Sequence, residues 1–201
     1  MRYNDIGYVE QYKSSGKYPK IYDDIFDISS DLQNENIIDL GCCFGLLGHK
    51  LKDRNNLVIG IEGNKNLISK AIEKDGVKYI NLKINLENID KIGAIIRENE
   101  IKTVYARRII PELYDEGGIQ LLNSLVLCFY ENFVEHIVLE GRKRTSRHTS
   151  VLHSIELECD IFKSFYDVVK IYKECRILQR KWKWKVTMGF QLIKDKRVVT
   201  Y

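Results

Sequence analysis

The stretch NIIDLGCCFGLLGHKL, residues 36–51, decides how this chain is read. Asn36–Leu40 is a short, mostly apolar run and reads as a strand; a glycine turn follows, and Leu46 onward opens a helix. A strand that runs into glycines does so to bend sharply and let a ligand approach the backbone. The spacing narrows the ligand. Gly41-Cys-Cys-Phe-Gly45-Leu-Leu-Gly48 does not supply the G-x-G-x-x-G of a loop that admits a pyrophosphate. Gly48-His-Lys-Leu lacks the G-K-[ST] that a triphosphate loop needs at its helix start. The remaining reading is a loop that passes under an amino-acid moiety, with Cys43 where many such loops carry a glycine.

Around this stretch the chain alternates. Strands are expected at Asn36–Leu40, Leu57–Glu62, 77–84, 101–106 and 136–140, with helices at 44–53, 65–74, 86–98 and 113–133. Strand–helix alternation implies right-handed crossovers and a mostly parallel sheet, with ligands at the carboxyl ends of the strands. After Glu140 the pattern changes to the basic loop GRKRTSRHTS. A helix is expected over 151–165, capped by Thr149 or Ser150. From Val168 the chain alternates apolar and polar residues to its last residue, as two strands of an antiparallel hairpin on the sheet edge. The expected fold class is therefore α/β, a Rossmann-like mostly parallel sheet with helices on both faces and a C-terminal antiparallel hairpin. One domain over 1–201 is expected, with 1–33 as an N-terminal helical lid segment and 34–201 as the sheet core.

Asp39-Leu-Gly-Cys-Cys-Phe-Gly45 resembles the first motif, D-x-G-x-G-x-G, of the class I S-adenosylmethionine-dependent methyltransferases. Asp39, Gly41 and Gly45 match, and Cys43 departs from the middle glycine. A second feature agrees: Leu57-Val-Ile-Gly-Ile-Glu62 ends the next strand in an acid. The resemblance implies S-adenosylmethionine as cofactor, held by Asp39, Gly41, Cys43, Gly45 and Glu62, with Glu62 accepting from both ribose hydroxyls. A carboxylate suits two adjacent hydroxyls because it has two acceptor oxygens. The family's acidic residue after the third strand, near the adenine, has no clear counterpart; the segment offers Lys83 or Asn85, and Asn85 is the candidate. The alternative for Glu62 is a helix cap in Glu62-Gly-Asn, and for Cys43 a small side chain tolerated in a wider turn.

The acceptor side carries neither N-P-P-Y nor D-P-P-Y, nor a Pro-Cys nucleophile. The fourth strand instead ends in Ala-Arg107-Arg108 and the fifth in Glu140-Gly-Arg142, with Lys143, Arg144, Arg147 and His148 following. Arg107 and Arg142 are the candidates for holding an anionic acceptor, and Glu140 and His148 for a general base. A solvated basic loop is the alternative for Lys143, Arg144 and Arg147, and an exposed loop histidine for His148. Arg180-Lys-Trp-Lys-Trp-Lys185 places Trp182 and Trp184 on one side of a strand, either packed on the sheet or free to stack on bases. The tyrosine-rich residues 8–22 fit a lid over the cofactor.

Composition excludes little beyond this. A charged fraction of 30% and a hydrophobic fraction of 44% suit a soluble domain, and a formal net charge of +4 does not by itself imply nucleic acid. The five cysteines form no C-x-x-C pair and show no ligand spacing with histidines, so reduced thiols, a cytoplasmic location and no metal are expected. No apolar run is long enough to span a bilayer, so no membrane association is expected. The expected activity is methyl transfer to an anionic acceptor, either a nucleic acid or a small molecule. The rival readings are a non-catalytic nucleic-acid-binding module on the same fold, and an S-adenosylmethionine-binding protein with different chemistry.

Overall fold

The architecture is that of a computed structural model, which describes residues 33–71, 76–142, 155–179 and 184–195. The expected N-terminal lid over 1–33, the basic loop after Arg142 and Trp182 lie outside these residues, save Gln33 at the lid's end. Two compact units divide between Ile84 and Asn85.

The first unit holds β1 (Asn36–Leu40), α1 (Leu46–Leu51), β2 (Leu57–Glu62), α2 (Lys65–Ile68) and β3 (Val77–Asn81). Its strands lie side by side as β3-β2-β1, both pairs parallel. Ile37, Ile38, Leu40, Val58, Ile59 and Ile61 are buried. These consecutive residues point to opposite faces, so β1 and β2 are covered on both sides, as central parallel strands are.

Three expected elements are shorter here than periodicity alone suggests, and of these the helix expected over 65–74 ends at Ile68. The helix expected from residue 44 starts at Leu46, because the preceding turn needs left-handed backbone at Gly41, Cys43 and Gly45. It tightens into a 3-10 turn at Lys52–Arg54 and ends at Asn55, which takes φ 61° and donates its N–H to the Lys52 carbonyl. The strand expected over 77–84 stops at Asn81.

The second unit holds a 3-10 turn (Leu86–Asn88), α3 (Ile89–Glu98), β4 (Thr103–Arg107), α4 (Ile110–Glu131), β5 (His136–Arg142), α5 (Ile155–Phe162), β6 (Tyr166–Gln179) and β7 (Trp184–Asp195). The strand order is β4-β5-β7-β6. β4 and β5 are parallel, from Thr103 opposite His136 to Arg107 opposite Glu140. β7 runs antiparallel to β5 and to β6, which is the expected hairpin, with register shifts in β6 near Val168 and Tyr172. α4 begins three residues earlier than its periodicity indicates, with Pro111 in its first turn, and breaks at Gly118, whose φ of 63° and ψ of −162° are not helical. α3 packs on α4 through a polar relay. The Arg97 guanidinium donates to Asn132 Oδ1 at 2.6 Å, and Asn132 Nδ2 donates to the Cys128 carbonyl at 2.6 Å. Burial pushes the Cys128 thiol up to about 11, so it stays protonated at neutral pH. Parallel strands joined by helices and closed by an antiparallel hairpin make this a Rossmann-like α/β fold. Among the described residues, no helix is long and apolar enough to cross a membrane.

Asn56 ties the first unit together. It is 3% exposed; its Nδ2 donates to the Leu51 carbonyl at 2.8 Å, and its Oδ1 accepts the Glu35 N–H at 2.8 Å. One amide therefore closes the end of α1 against the entry to β1. Asn56→Leu strands both backbone groups, and the expected loss is about 2 kcal/mol of unfolding free energy. Urea denaturation checks this, with a lower midpoint at an unchanged slope.

Candidate cofactor site

The end of β1 runs directly into the glycine turn. The N–H groups of Gly41 and Cys42 both donate to the Ile61 carbonyl, at 2.8 and 3.1 Å, so β2 holds the first residues of the turn. Gly45 N–H then donates back to the Cys42 carbonyl at 2.9 Å, closing a four-residue turn over Cys42–Gly45. Cys43, second in that turn, has φ 57°, whereas Phe44 after it does not have positive φ. Positive φ at such a place in a turn is a conformation in which glycine is the usual residue. The family resemblance places a glycine here, and the structure gives the reason: the conformation is left-handed whichever residue occupies it. Phe44 anchors the turn by packing with Leu67, and Cys43 and Leu46 flank that contact.

Glu62 closes the other side. Its Oε2 accepts the Cys43 N–H at 3.1 Å, and its Oε1 accepts the Asn64 N–H at 2.7 Å. One carboxylate thus joins the loop after β1 to the loop after β2. Asn64 uses its own Oδ1 to cap α2, accepting the Asn66 N–H at 2.9 Å. Glu62 is therefore not that cap. Burial raises the Glu62 pKa above the ordinary carboxylate range, opposed by backbone hydrogen bonds from Asn64, Cys43 and Gly63. A carboxylate offers about four lone-pair positions. The Cys43 and Asn64 N–H groups take one on each oxygen, and acceptor capacity remains for a hydroxyl donor. The turn and this acid together fit the cofactor that the sequence resemblance implies: left-handed backbone that admits a ligand closely, beside a half-buried diacceptor.

Asp39 lies within β1, opposite Gly60 of β2, and is 2% exposed. Cys42 is buried, and that burial, with Asp39 and Glu62 nearby, pushes its thiol far up.

The remaining sequence candidates belong to the second unit. Asn85 precedes the first 3-10 turn there, and its Oδ1 accepts the Asn88 N–H at 3.1 Å, so that oxygen serves as a cap. Arg107 ends β4 opposite Glu140, and Arg142 ends β5 opposite Met188 of β7. Arg108 takes φ 55°, a left-handed kink directly after β4. His148, Lys143, Arg144 and Arg147 lie outside the described residues.

Sequence reasoning missed three residues that shape the turn. Tyr79 on β3 donates its hydroxyl to the Gly45 carbonyl at 3.0 Å. Gly60, opposite Tyr79, is the glycine that makes room for the tyrosine ring. Asn81 Nδ2 donates to the Glu62 carbonyl at 2.8 Å and fixes the end of β2. The glycine inside an otherwise apolar strand was the one available signal, since such a glycine marks close approach by another group.

No protein-family model matches the chain, and no curated protein matches it by sequence. Solved structures do match in fold. The chain is similar to a SAM-dependent methyltransferase from Archaeoglobus fulgidus, with TM-score 0.69, 14% identity, and 96% of this chain and 100% of that one covered. It is similar to a TehB-like SAM-dependent methyltransferase from Corynebacterium glutamicum, with TM-score 0.64, 11% identity and coverage of 96% and 100%. It is also similar to the bifunctional kinase-methyltransferase WbdD, with TM-score 0.60, 15% identity and 89% of this chain covered; there the chain spans only 38% of the partner's length. At these identities the likeness establishes the fold alone, a Rossmann-like α/β architecture.

Cys43 gives a test of the turn. A non-glycine residue in left-handed backbone is strained by roughly 1–2 kcal/mol. Glycine relieves that strain but adds about 0.5–1 kcal/mol of unfolded-state entropy. Cys43→Gly is therefore expected within about 1 kcal/mol of the parent, since the two effects nearly offset. Cys43→Val, β-branched at the same φ, is expected to lose more than about 1 kcal/mol. Chemical denaturation of the pair checks both.

Proposed function

We propose that the chain binds S-adenosylmethionine at the turn of residues 39–45 and transfers its methyl group to an anionic acceptor. The observation that carries the reading is the Glu62 carboxylate, held at the end of β2 by the Cys43 and Asn64 N–H groups with acceptor capacity remaining. Bound there, the cofactor supplies an electrophilic methyl group on a sulfonium. The chain's own part is positional. Gly41, Cys43 and Gly45 give the backbone its close approach, Asp39 contributes negative charge suited to a cationic ligand, and Glu62 accepts from the ribose hydroxyls. The fold likeness to methyltransferases supports this reading in general terms. We assign anion recognition to Arg107 and Arg142, and removal of the acceptor's proton to Glu140 or His148. A nucleic acid and a small acidic metabolite both satisfy that chemistry.

S-adenosylhomocysteine is the probe for the cofactor side. Glu62→Ala is expected to weaken its binding by roughly 1.5–3 kcal/mol, as charge-assisted bonds to two hydroxyls are lost. Hydroxyl donors favour the ionised carboxylate. Because burial raises the free-state pKa of Glu62, affinity is expected to fall already as pH drops through a range above that of ordinary carboxylates. Stability has the opposite sign. The raised pKa is a penalty on folding that is present in full above the folded pKa and vanishes below the unfolded one. Glu62→Gln is expected to flatten both profiles. Calorimetric titrations across pH check the first, and denaturation across the same pH values checks the second. No binding by the parent protein at any pH overturns the cofactor reading.

For the acceptor, Arg142→Ala is expected to raise KM roughly tenfold or more and to leave cofactor affinity intact. Salt separates the substrate classes. Acceptor affinity that falls steeply with ionic strength marks a nucleic acid, and a shallow dependence marks a molecule of one or two charges. Steady-state kinetics over a salt series, on the parent and the variant, makes the distinction.

A further inference from the structure

Three glycines of the first unit share one neighbour. A Cβ added at Gly45 would overlap the Tyr79 ring, with Cε1 at 2.6 Å. At Gly60 it would meet Tyr79 Cδ1 at 2.6 Å and Cys42 Sγ at 2.7 Å. At Gly48 it would stand 3.2 Å from Val77 Cγ1 and 3.4 Å from the Tyr79 hydroxyl. The ring therefore occupies space that Gly45 and Gly60 vacate, between the middle of β2 and the turn. Its hydroxyl donates to the Gly45 carbonyl at 3.0 Å. The His49 N–H also reaches that carbonyl, at 3.4 Å, a long bond. The tyrosine is thus the stronger donor at the junction where the turn becomes helix. Fixing that carbonyl fixes the Gly45–Leu46 peptide plane, and with it the backbone that leads out of the left-handed segment.

We infer that Tyr79 is a positioning residue for the cofactor turn, setting its backbone through the Gly45 carbonyl rather than by touching a ligand. The inference rests on the cofactor reading above. It also accounts for glycine at a position that the family motif does not require: Gly60 leaves room for the tyrosine, whereas Gly41 serves the turn itself.

Tyr79→Phe is the test, because it keeps the ring and removes only the donor. S-adenosylhomocysteine affinity is expected to fall about three- to tenfold, the range of one net hydrogen bond. The backbone amide resonances of residues 43–46 are expected to shift in the free protein, while those of β4 and β5 stay in place. A purely structural role would lower stability without that localised change. Gly60→Ala is the second variant. It pushes from β2 on the ring and on Cys42 Sγ together, and is expected to weaken the same ligand and shift the same amides. If the parent binds and Tyr79→Phe binds within twofold with unmoved amides of residues 43–46, the positioning role is overturned and the cofactor reading stands. If the parent itself does not bind, the cofactor reading fails, and shifted amides would then leave Tyr79 as a support of the turn alone, which overturns its assignment to a cofactor.

Discussion

The Glu62 carboxylate is the constraint on which the site depends. The turn after β1 contains three residues with positive φ, Gly41, Cys43 and Gly45, and one of them is not glycine. Such backbone persists only where its surroundings over-determine it. Glu62 does so from the neighbouring strand, accepting the Cys43 N–H while its second oxygen holds Asn64. The Ile61 carbonyl, one residue earlier, receives the N–H groups of Gly41 and Cys42. The end of β2 therefore serves as a template on which the whole turn is laid, and parallel pairing of β1 with β2 brings it there.

The same arrangement explains how a half-buried acid is both strained and useful. Burial disfavours its charge and the backbone N–H groups restore part of it. A carboxylate that accepts an N–H on each oxygen retains further lone pairs, which is the condition for binding a hydroxyl donor. The acid therefore acts as a structural clasp and as a binding group in the proposed function, and the two roles use different lone pairs of the same oxygens. Tyr79 completes the set from the far side of β2. The turn is held by an acid near its middle and by a phenol at its end, both reaching it from neighbouring strands.

The fold and the site were legible to different depths. The alternation of elements was plain, because apolar runs of strand length stand between amphipathic stretches. Ends of elements were less plain. The first helix opens two residues late because Gly45 still belongs to the turn, and β3 stops at Asn81 although apolar residues continue through Leu82 and Ile84. Apolar character reports burial, and a buried loop residue such as Ile84 carries it as well as a strand residue does. Gly41, Gly45 and Glu62 were candidates through a resemblance to a known motif, and the structure brings Glu62 onto the turn through the Cys43 N–H. Asn85 did not resolve in the same way, since its side-chain oxygen caps a turn.

By itself the sequence determined the strand, the turn and the acid that follows the next strand, because each is a local property of backbone freedom and side-chain chemistry. It also determined that Cys43 would have to adopt whatever conformation the turn imposed. Only the tertiary structure decided what holds that conformation. Glu62 meets Cys43 across a separation of 19 residues, and Tyr79 meets Gly45 across 34. Those meetings depend on the register of three parallel strands, which places Gly60 opposite Tyr79 and Asp39 opposite Gly60. Register is set by the packing of whole strands, and no short window of sequence contains it.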